Sequence, residues 1–480
     1  MNSNQPSLEK LLEIENDPSF LDFRCSETGY LLWPLLRNQF FRILISDIYY
    51  NHEPLVVKPS ASRYRQALHV LPRVLLHNAG RGKLSGDILI MGSGAGHFQR
   101  DGLWFNRITD YFALAFPKDT VTYEGIVDWH VPEPRHNKRS SYWLPWQMLI
   151  ALAGKLQSRQ RHVKVVKAML NHARKRTKSI LGLDISDESI QLLLNMTVPK
   201  VARLSFMRWV YRRFLTRTAP RLVLVEQSCY GDYGIFNHVA REMGIRVAEP
   251  QHGMISAGHD AYSFAPAIRD SEEYRQYLPH DFLGYGAWWN SEINAPVQKW
   301  VIGHPHYTEQ RKRMVSNVSD KTDILLLSDG IEFSIYLELA KDLTNLINGR
   351  YRVVLRPHPL ERKRVYSEYP NGNVGKVVID QNRDIYQSFS AAYAVTGEVS
   401  TALFEAVGLV KKIFLWETPK AVFSYPSHPF AGFLNAKDFV LKIDDYESGR
   451  ADVGQEEIWA PDWAGNYHNY IDFALKVIHR

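Results

Sequence analysis

The segment VLRPHP spans residues 354–359, and the segment TGEVSTALFE follows at residues 396–405. The first is a short apolar run that stops in a rigid Arg-Pro-His-Pro corner. The second continues an apolar run at residues 391–395 through a turn rich in Gly, Ser and Thr into a helix. We interpret both as parallel strand ends that present polar groups at one edge of a sheet, where open α/β sheets bind ligands. Taken alone, the first segment also fits a loop stiffened by proline, and the second also fits an ordinary helix cap.

The size and charge of the chain limit its organisation and its partners. It has 480 residues, which predicts two domains with accessory helices because a single core rarely grows so large. The net charge of +7 and the pI of about 9.1 favour anionic partners such as phosphorylated donors, acidic glycans or anionic lipids. No recognised nucleic-acid-binding motif accompanies this charge, so we do not expect nucleic acid. The two cysteines match no metal-binding spacing. Because the sequence has neither a long apolar run nor a signal-peptide pattern, we expect a cytoplasmic protein.

The first third of the chain predicts helices around one glycine-rich strand end. Residues 1–80 have helical spacing, and we assign them no chemistry. A strand at residues 87–91 runs into the turn GSGAGH, which differs from a dinucleotide-binding fingerprint because His97 replaces the third glycine. Residues 143–218 predict a basic helical insertion. Its aromatic and arginine-rich stretch, residues 203–217, is either a solvated helix face or a surface for anionic lipid head groups on a membrane.

One βαβ unit follows in residues 221–253. Its first strand ends at Glu226, its turn contains Asp232, and its second strand ends in the sequence EPQHG. His252 lies in that last turn, where an imidazole beside a glycine can approach a ligand and exchange a proton near neutral pH. A further short strand ends at Gly303 in a Gly-His-Pro turn. We place the first domain at residues 81–307.

Residues 308–465 predict a second domain with the same alternation. Strands are expected at residues 323–327, 351–355, 376–379, 391–395 and 412–415, and helices at 333–347, 385–389 and 402–407. Strands that alternate with helices imply a parallel sheet. A helix at residues 470–478 is expected near the end of the chain, and we expect residues 466–480 to pack back on the first domain. The predicted fold class is α/β, with two Rossmann-like parallel-sheet domains that face a cleft.

Two such domains form the GT-B architecture, and the motifs resemble those of bacterial capsule and surface-polysaccharide glycosyltransferases. This group is also similar to CDP-glycerol glycerophosphotransferases and bacterial sialyltransferases. The similar motifs are Gln251-His252-Gly253 with Tyr262 downstream, Gly303-His304-Pro305, Arg356-Pro357-His358-Pro359, and Ser400-Thr401 with Glu405. The chain departs from the sialyltransferase pattern because Thr401 replaces a second serine and because Ser328-Asp329-Gly330 and Glu226-Gln227 only partly match its acidic triplet.

The resemblance implies an inverting, metal-independent transferase that moves a sugar from a CMP- or UDP-linked donor to a capsule or lipopolysaccharide glycan. The nucleotide sugar is a co-substrate, and no cofactor is implied. His358 beside Arg356 would stabilise the departing phosphate, with Ser400, Thr401 and their helix N-terminus as further donors. Glu405 would accept hydrogen bonds from ribose hydroxyls, and Pro359 and Gly303 complete the binding set. His252 would deprotonate the acceptor, with Glu226 and Asp232 as the other candidates for this role.

Two alternatives remain open at this point. A nucleotide-sugar 2-epimerase uses the same two-domain fold and needs no acceptor. A non-catalytic scaffold that binds polysaccharide or membrane would neither consume a donor nor extend a glycan. Independently of this choice, lipid binding by the basic helices would place the cytoplasmic protein peripherally on the inner membrane.

Overall fold

The computed structural model describes residues 5–50, 61–314, 321–445 and 447–476. Three predicted regions lie partly outside the described residues. They are the N-terminal helical layer, the domain boundary and the last helix. Within them, the strands are β1 Ile88–Gly92, β2 His97–Arg100, β3 Leu103–Asn106, β4 Thr120–Glu124, β5 Ser140–Tyr142, β6 Leu222–Val225, β7 Arg246–Pro250, β8 Asp281–Gly284, β9 Gln298–Val301, β10 Asp323–Leu327, β11 Arg352–Arg356, β12 Asn373–Val374, β13 Val377–Ile379, β14 Ala392–Gly397, β15 Lys412–Trp416 and β16 Ala431–Phe433.

The α-helices alternate with these strands and add a helical layer to the first domain. They are α1 Leu8–Leu12, α2 Trp33–Tyr49, α3 Ala61–Arg81, α4 Asp110–Ala115, α5 Leu144–Gln157, α6 Gln160–Leu181, α7 Asp187–Ala202, α8 Leu204–Thr218, α9 Gly234–Glu242, α10 Pro266–Arg269, α11 Glu272–Arg275, α12 Ala287–Ser291, α13 Pro305–Met314, α14 Phe333–Ile347, α15 Arg362–Glu368, α16 Ile385–Ala391, α17 Thr401–Glu405, α18 Pro419–Ser424, α19 Ala436–Ile443, α20 Gln455–Ile458 and α21 Trp463–Lys476.

Two seven-stranded sheets confirm the expected pair of Rossmann-like domains in the GT-B arrangement. The first has the order β5-β4-β1-β6-β7-β8-β9, and every neighbouring pair is parallel. The second has the order β12-β13-β11-β10-β14-β15-β16 and is parallel except at β12. Central strands such as β6 and β10 are buried along their whole length, as expected of apolar runs covered on both faces.

The glycine-rich turn after β1 leads into the β2–β3 hairpin and not into the helix of a dinucleotide site, which agrees with its departure from that fingerprint. Two other details differ from the sequence-based expectation. The helix after Ser400 spans five residues, so it offers less dipole than the sequence suggested. The last helix begins at Trp463, seven residues before the predicted start at Tyr470, and its buried face packs on the first sheet.

The two domains meet through contacts that use indole and phenol groups as hydrogen-bond donors. Trp289 Nε1 donates to the Ile458 carbonyl at 2.9 Å, and Trp459 Nε1 donates to the Phe404 carbonyl at 3.0 Å. Tyr307 donates through its hydroxyl to the Val407 carbonyl at 2.6 Å. The Trp459 bond ends within α17 and the Tyr307 bond just after it, so both hold that short helix in place, whereas the Trp289 bond ends at α20.

Candidate active site

The Gln251-His252-Gly253 turn and the Ser400-Thr401 turn meet at the domain boundary. Thr401 Oγ1 accepts a hydrogen bond from the Met254 backbone N–H at 2.9 Å. The Gln251 side-chain amide stabilises the turn, because it donates to the Gly253 carbonyl and accepts from the Tyr285 N–H. The carboxyl ends of β7 and β14 therefore face each other, as ligand sites in α/β sheets require.

Glu405 lies one helical turn after Thr401, in the same boundary. It is buried, and its Oε2 accepts the Tyr386 hydroxyl at 2.5 Å. The Tyr386 ring also packs against His306, whose ring is 5.8 Å away. Together, α13, α16 and α17 form one polar wall that carries a carboxylate.

Arg107 is a functional candidate that the sequence analysis missed. It is exposed after β3 in the first domain, beside rings from both domains. Burial, reinforced by the Arg107 guanidinium, lowers the pKa of His306 to about 3, and the same cation opposes the burial that raises the pKa of Tyr386. No motif marks this arginine, because only the β2–β3 hairpin brings it to the boundary.

His252 is nearly enclosed. Its side chain is 12% exposed, and its Nδ1 lies 3.9 Å from a Glu249 oxygen without a hydrogen-bond partner in the described part of the chain. Burial, with His259 and Arg42 nearby, lowers the pKa of His252 to about 3. The ring is therefore neutral at pH 7 and holds a proton poorly.

Tyr262, the residue downstream of the Gln-His-Gly turn, bonds to Glu249, which precedes that turn on β7. Its hydroxyl donates to Glu249 Oε1 at 2.5 Å, and the Cys229 N–H donates to the other oxygen at 2.8 Å. Burial raises the pKa of Glu249 to about 7. These bonds fix the strand end that carries His252.

Glu226 and Asp232 lie on the first-domain side of the boundary. Glu226 is buried behind Ser93, which donates to its two oxygens through the backbone N–H at 2.8 Å and the hydroxyl at 2.6 Å. Burial raises the pKa of Glu226 to about 6. Asp232 pairs with Lys200 at 2.6 Å, and its side chain is 59% exposed because it projects into a cavity.

That cavity has a volume of about 610 Å³ and opens beside the carboxyl ends of β1 and β6. Ser93 and Gln227 line it from the sheet, and the other walls come from helices α2, α5, α7 and α8 and from the turn at residues 230–233. Gln227 has a φ of +61°, a conformation that non-glycine residues adopt at a cost and that clusters at functional sites.

His358 lies at the second-domain strand end, next to the Ser328-Asp329-Gly330 loop. Its backbone N–H donates to Ser328 Oγ at 2.9 Å. Gly330 has a φ of +87°, and a Cβ there would lie 2.5 Å from His358 Nδ1. Burial lowers the pKa of His358, which Asp329 partly opposes.

A shared phosphate site was expected for Arg356, Pro359 and Gly303, but each of them lies in a different environment. Arg356 is buried inside the second domain, where it pairs with Asp380 at 2.5 Å and donates to Ser388 Oγ at 2.9 Å. Pro359 is exposed. Gly303 has a φ of +108°, and a Cβ there would lie 2.7 Å from the Ala460 carbonyl, so close packing explains this glycine. The ligand roles of these residues stay predictions.

The basic helix α8 uses part of its charge within the protein. Arg208 and Arg212 both approach Glu242, at 3.1 and 3.3 Å, and Arg213 lies over the exposed Trp209 ring. No helix of the described residues combines the length and the apolar character needed to cross a bilayer.

Comparisons with known proteins give fold-level likenesses only. No family model matches the chain, and no curated protein matches it. Among solved structures, the UDP-GlcNAc 2-epimerase of Methanocaldococcus jannaschii in complex with UDP-GlcNAc and UDP is 10% identical, with a TM-score of 0.45 and coverage of 80% of this chain and 99% of that one. The S. aureus MnaA–UDP structure is 12% identical, with a TM-score of 0.44 and coverage of 83% and 98%. The wall teichoic acid polymerase TagF is 11% identical, with a TM-score of 0.39 and coverage of 88% and 97%. At such similarity these structures carry no argument about the chemistry of this chain.

Proposed function

We propose that the protein is a glycosyltransferase that moves a sugar from a nucleotide-activated donor to a bacterial surface glycan. One observation carries the proposal: the 2.9 Å contact between Thr401 Oγ1 and the Met254 N–H, which joins the polar strand ends of the two domains. A donor phosphate at this boundary would lie between the Gln-His-Gly turn and the Ser-Thr turn.

The second domain supplies hydroxyl donors for the donor phosphate. Thr401 Oγ1 accepts from Met254, and Ser400 Oγ accepts from the Ala402 N–H at 3.2 Å. A hydroxyl carries one donor and two acceptor sites, so each O–H remains able to donate to a phosphate oxygen. Arg107 adds positive charge from the first domain, where it stabilises the nucleotide phosphate as it leaves.

Glu405 suits the ribose of the donor. Its Oε2 is occupied by the Tyr386 hydroxyl, which leaves Oε1 to accept from a ribose hydroxyl. We assign His358, which follows β11, to the same phosphate, across β10 from the end of β14. Arg356 acts indirectly in this account, because its bonds to Asp380 and Ser388 hold the strand that carries His358.

The geometry favours Glu226 over His252 as the final proton acceptor. A general base works best when its pKa lies near the working pH, and Glu226, at about 6, meets this condition better than His252, at about 3. The acceptor hydroxyl would give its proton to Ser93 Oγ, which lines the cavity, as Ser93 passes its own proton to Glu226. The acceptor oxygen then bonds to the sugar carbon as the bond to the nucleotide phosphate breaks.

We also propose that the protein binds the inner membrane surface peripherally. Leu75 and Leu76 on α3 and Leu152 and Leu156 on α5 are at least half exposed. These two helices contain basic residues and no acidic ones, which suits an anionic lipid surface. Leu76→Ser with Leu156→Ser should reduce sedimentation with anionic vesicles, and equal sedimentation of both proteins would refute this site.

Nucleotide release with and without acceptor tests the proposed function. The protein is incubated with CMP-, CDP-, UDP- and GDP-linked sugars, with and without surface-glycan fragments, and both the released nucleotide and the glycan mass are measured. We expect acceptor-dependent release from one donor, with His358→Ala about 10²–10³-fold slower. Conversion of a donor without acceptor would instead identify an epimerase, and no conversion with any donor would favour the scaffold.

A further inference from the structure

The 610 Å³ cavity of the first domain has a lining that selects one class of acceptor. Its volume falls within the range of small-molecule sites, roughly 300–1,000 Å³. The half-buried rings of Tyr230 and Tyr233 line the cavity, and Gln39, Gln147 and Gln227 provide amide donors and acceptors. Aromatic faces with amides are suited to sugar rings, which combine apolar C–H faces with hydroxyl groups.

Cations outnumber carboxylates in this lining. Arg42, Lys200 and Arg203 contribute three positive charges, and Asp232 contributes one negative charge. Desolvation at the cavity wall alone would raise the pKa of Asp232, but Lys200, Arg203 and Arg42 hold it below its usual value. Asp260 also attracts Arg42 from outside the lining, so among these residues three cations face two carboxylates.

The three cations reach the cavity from separate elements. Arg42 reaches the cavity from α2 and lies over the Tyr230 ring at 4.9 Å. Lys200 and Arg203 come from the end of α7 and the start of α8, where the aliphatic stem of Arg203 packs 3.1 Å from a Cβ placed at Gly154. The charges thus converge from separate elements on the space next to Ser93.

We propose that this cavity binds an acidic sugar of the acceptor glycan, with the anionic group at Lys200 and Arg203 and the reacting hydroxyl toward Ser93. That this ligand is the acceptor of the transfer rests on the proposed function, but its binding can be measured without a donor. The anionic group of the sugar can be a carboxylate or a phosphate, because both present negatively charged oxygens to the two cations.

Calorimetric titration with three oligosaccharide probes tests the site. One probe is a tetrasaccharide with uronic acid residues, one is the same tetrasaccharide with its carboxylates reduced to alcohols, and one carries a phosphate instead. We expect an anionic probe to bind at least tenfold more tightly than the reduced probe, and the better anionic probe identifies the group. Equal binding of all three probes would overturn the inference.

Variants then locate the binding. Lys200→Gln should weaken the anionic probe at least tenfold, whereas Lys164→Gln, the same change at an exposed position of α6, should leave its affinity unchanged. Met196→Trp, which fills the cavity without changing charge, should abolish binding. Undiminished binding in both Lys200→Gln and Met196→Trp would refute the site.

A parallel nucleotide titration separates this inference from the proposed function. We expect CMP, CDP, UDP or GDP to bind Met196→Trp as well as the unchanged protein, because the donor lies at the domain boundary. Loss of nucleotide binding in Met196→Trp would make the cavity the donor site and overturn the inference. Absence of nucleotide binding in the unchanged protein would count against the proposed function alone.

Discussion

Thr401→Val tests whether the hydroxyl at the domain boundary binds the donor phosphate. The change keeps the shape of the side chain and removes one oxygen, which accepts the Met254 N–H at 2.9 Å. A hydrogen bond to a charged group contributes about 1.5–3 kcal/mol, so its loss should raise the nucleotide Kd roughly 10- to 150-fold. Loss of the neutral Met254 bond should lower the free energy of unfolding by about 0.5–1.5 kcal/mol.

The assay is titration of the nucleotide product into the unchanged protein, Thr401→Val and the control Thr401→Ser. The serine variant keeps the hydroxyl, so its Kd should stay within about threefold of the original. A valine variant that is less stable but binds the nucleotide with unchanged Kd would show that the hydroxyl only joins the domains. That result would refute the phosphate role of Thr401.

Three further perturbations follow from buried or strained positions. Gly330→Ala should displace His358 and slow turnover at least 10²-fold. The control Gly349→Ala is equally strained, at φ +81°, but has no atom within 4 Å, so it should only lower stability. Equal turnover in the two variants would contradict this prediction. Lys420→Met leaves three carboxylates without their buried partner and should cost about 3–5 kcal/mol in denaturant unfolding; a cost below about 1 kcal/mol would refute the ion cluster. Because burial raises the pKa of Glu226 from 4.5 to about 6, it contributes about 2 kcal/mol of stability below pH 4.5 that is lost as the pH rises through 6. Glu226→Gln should remove this pH dependence from the free energy of unfolding, and an unchanged profile would contradict the shifted pKa.

The alternation of strands and helices made much of the fold predictable from the sequence. The predicted helix at residues 333–347 matches α14, and the predicted strand at residues 323–327 matches β10. β10 is a continuous apolar run, and α14 has apolar residues at helical spacing, so local sequence was enough to predict both. The β2–β3 hairpin was not predicted, because its two strands have only four residues each and give little pattern to recognise.

The site was less predictable because long-range packing determines it. The sequence identified the Gln-His-Gly and Ser-Thr turns, but their direct contact depends on how the two domains dock. Arg356 was expected at a ligand, and only the fold shows that Asp380 holds it. Arg107 lies in no motif, and the protonation of His252 depends on burial that no local pattern reveals.

Nucleotide binding at the domain boundary is the most direct test of the central claim. The measurement is titration of CMP, CDP, UDP and GDP into the unchanged protein, Glu405→Gln and Glu338→Gln, the last being the same change at an exposed position of α14. We predict that at least one nucleotide binds, that Glu405→Gln weakens it about 10- to 150-fold, and that Glu338→Gln leaves the Kd unchanged. No binding by any nucleotide, or the same Kd for Glu405→Gln as for the unchanged protein, would contradict a donor site between these two domains.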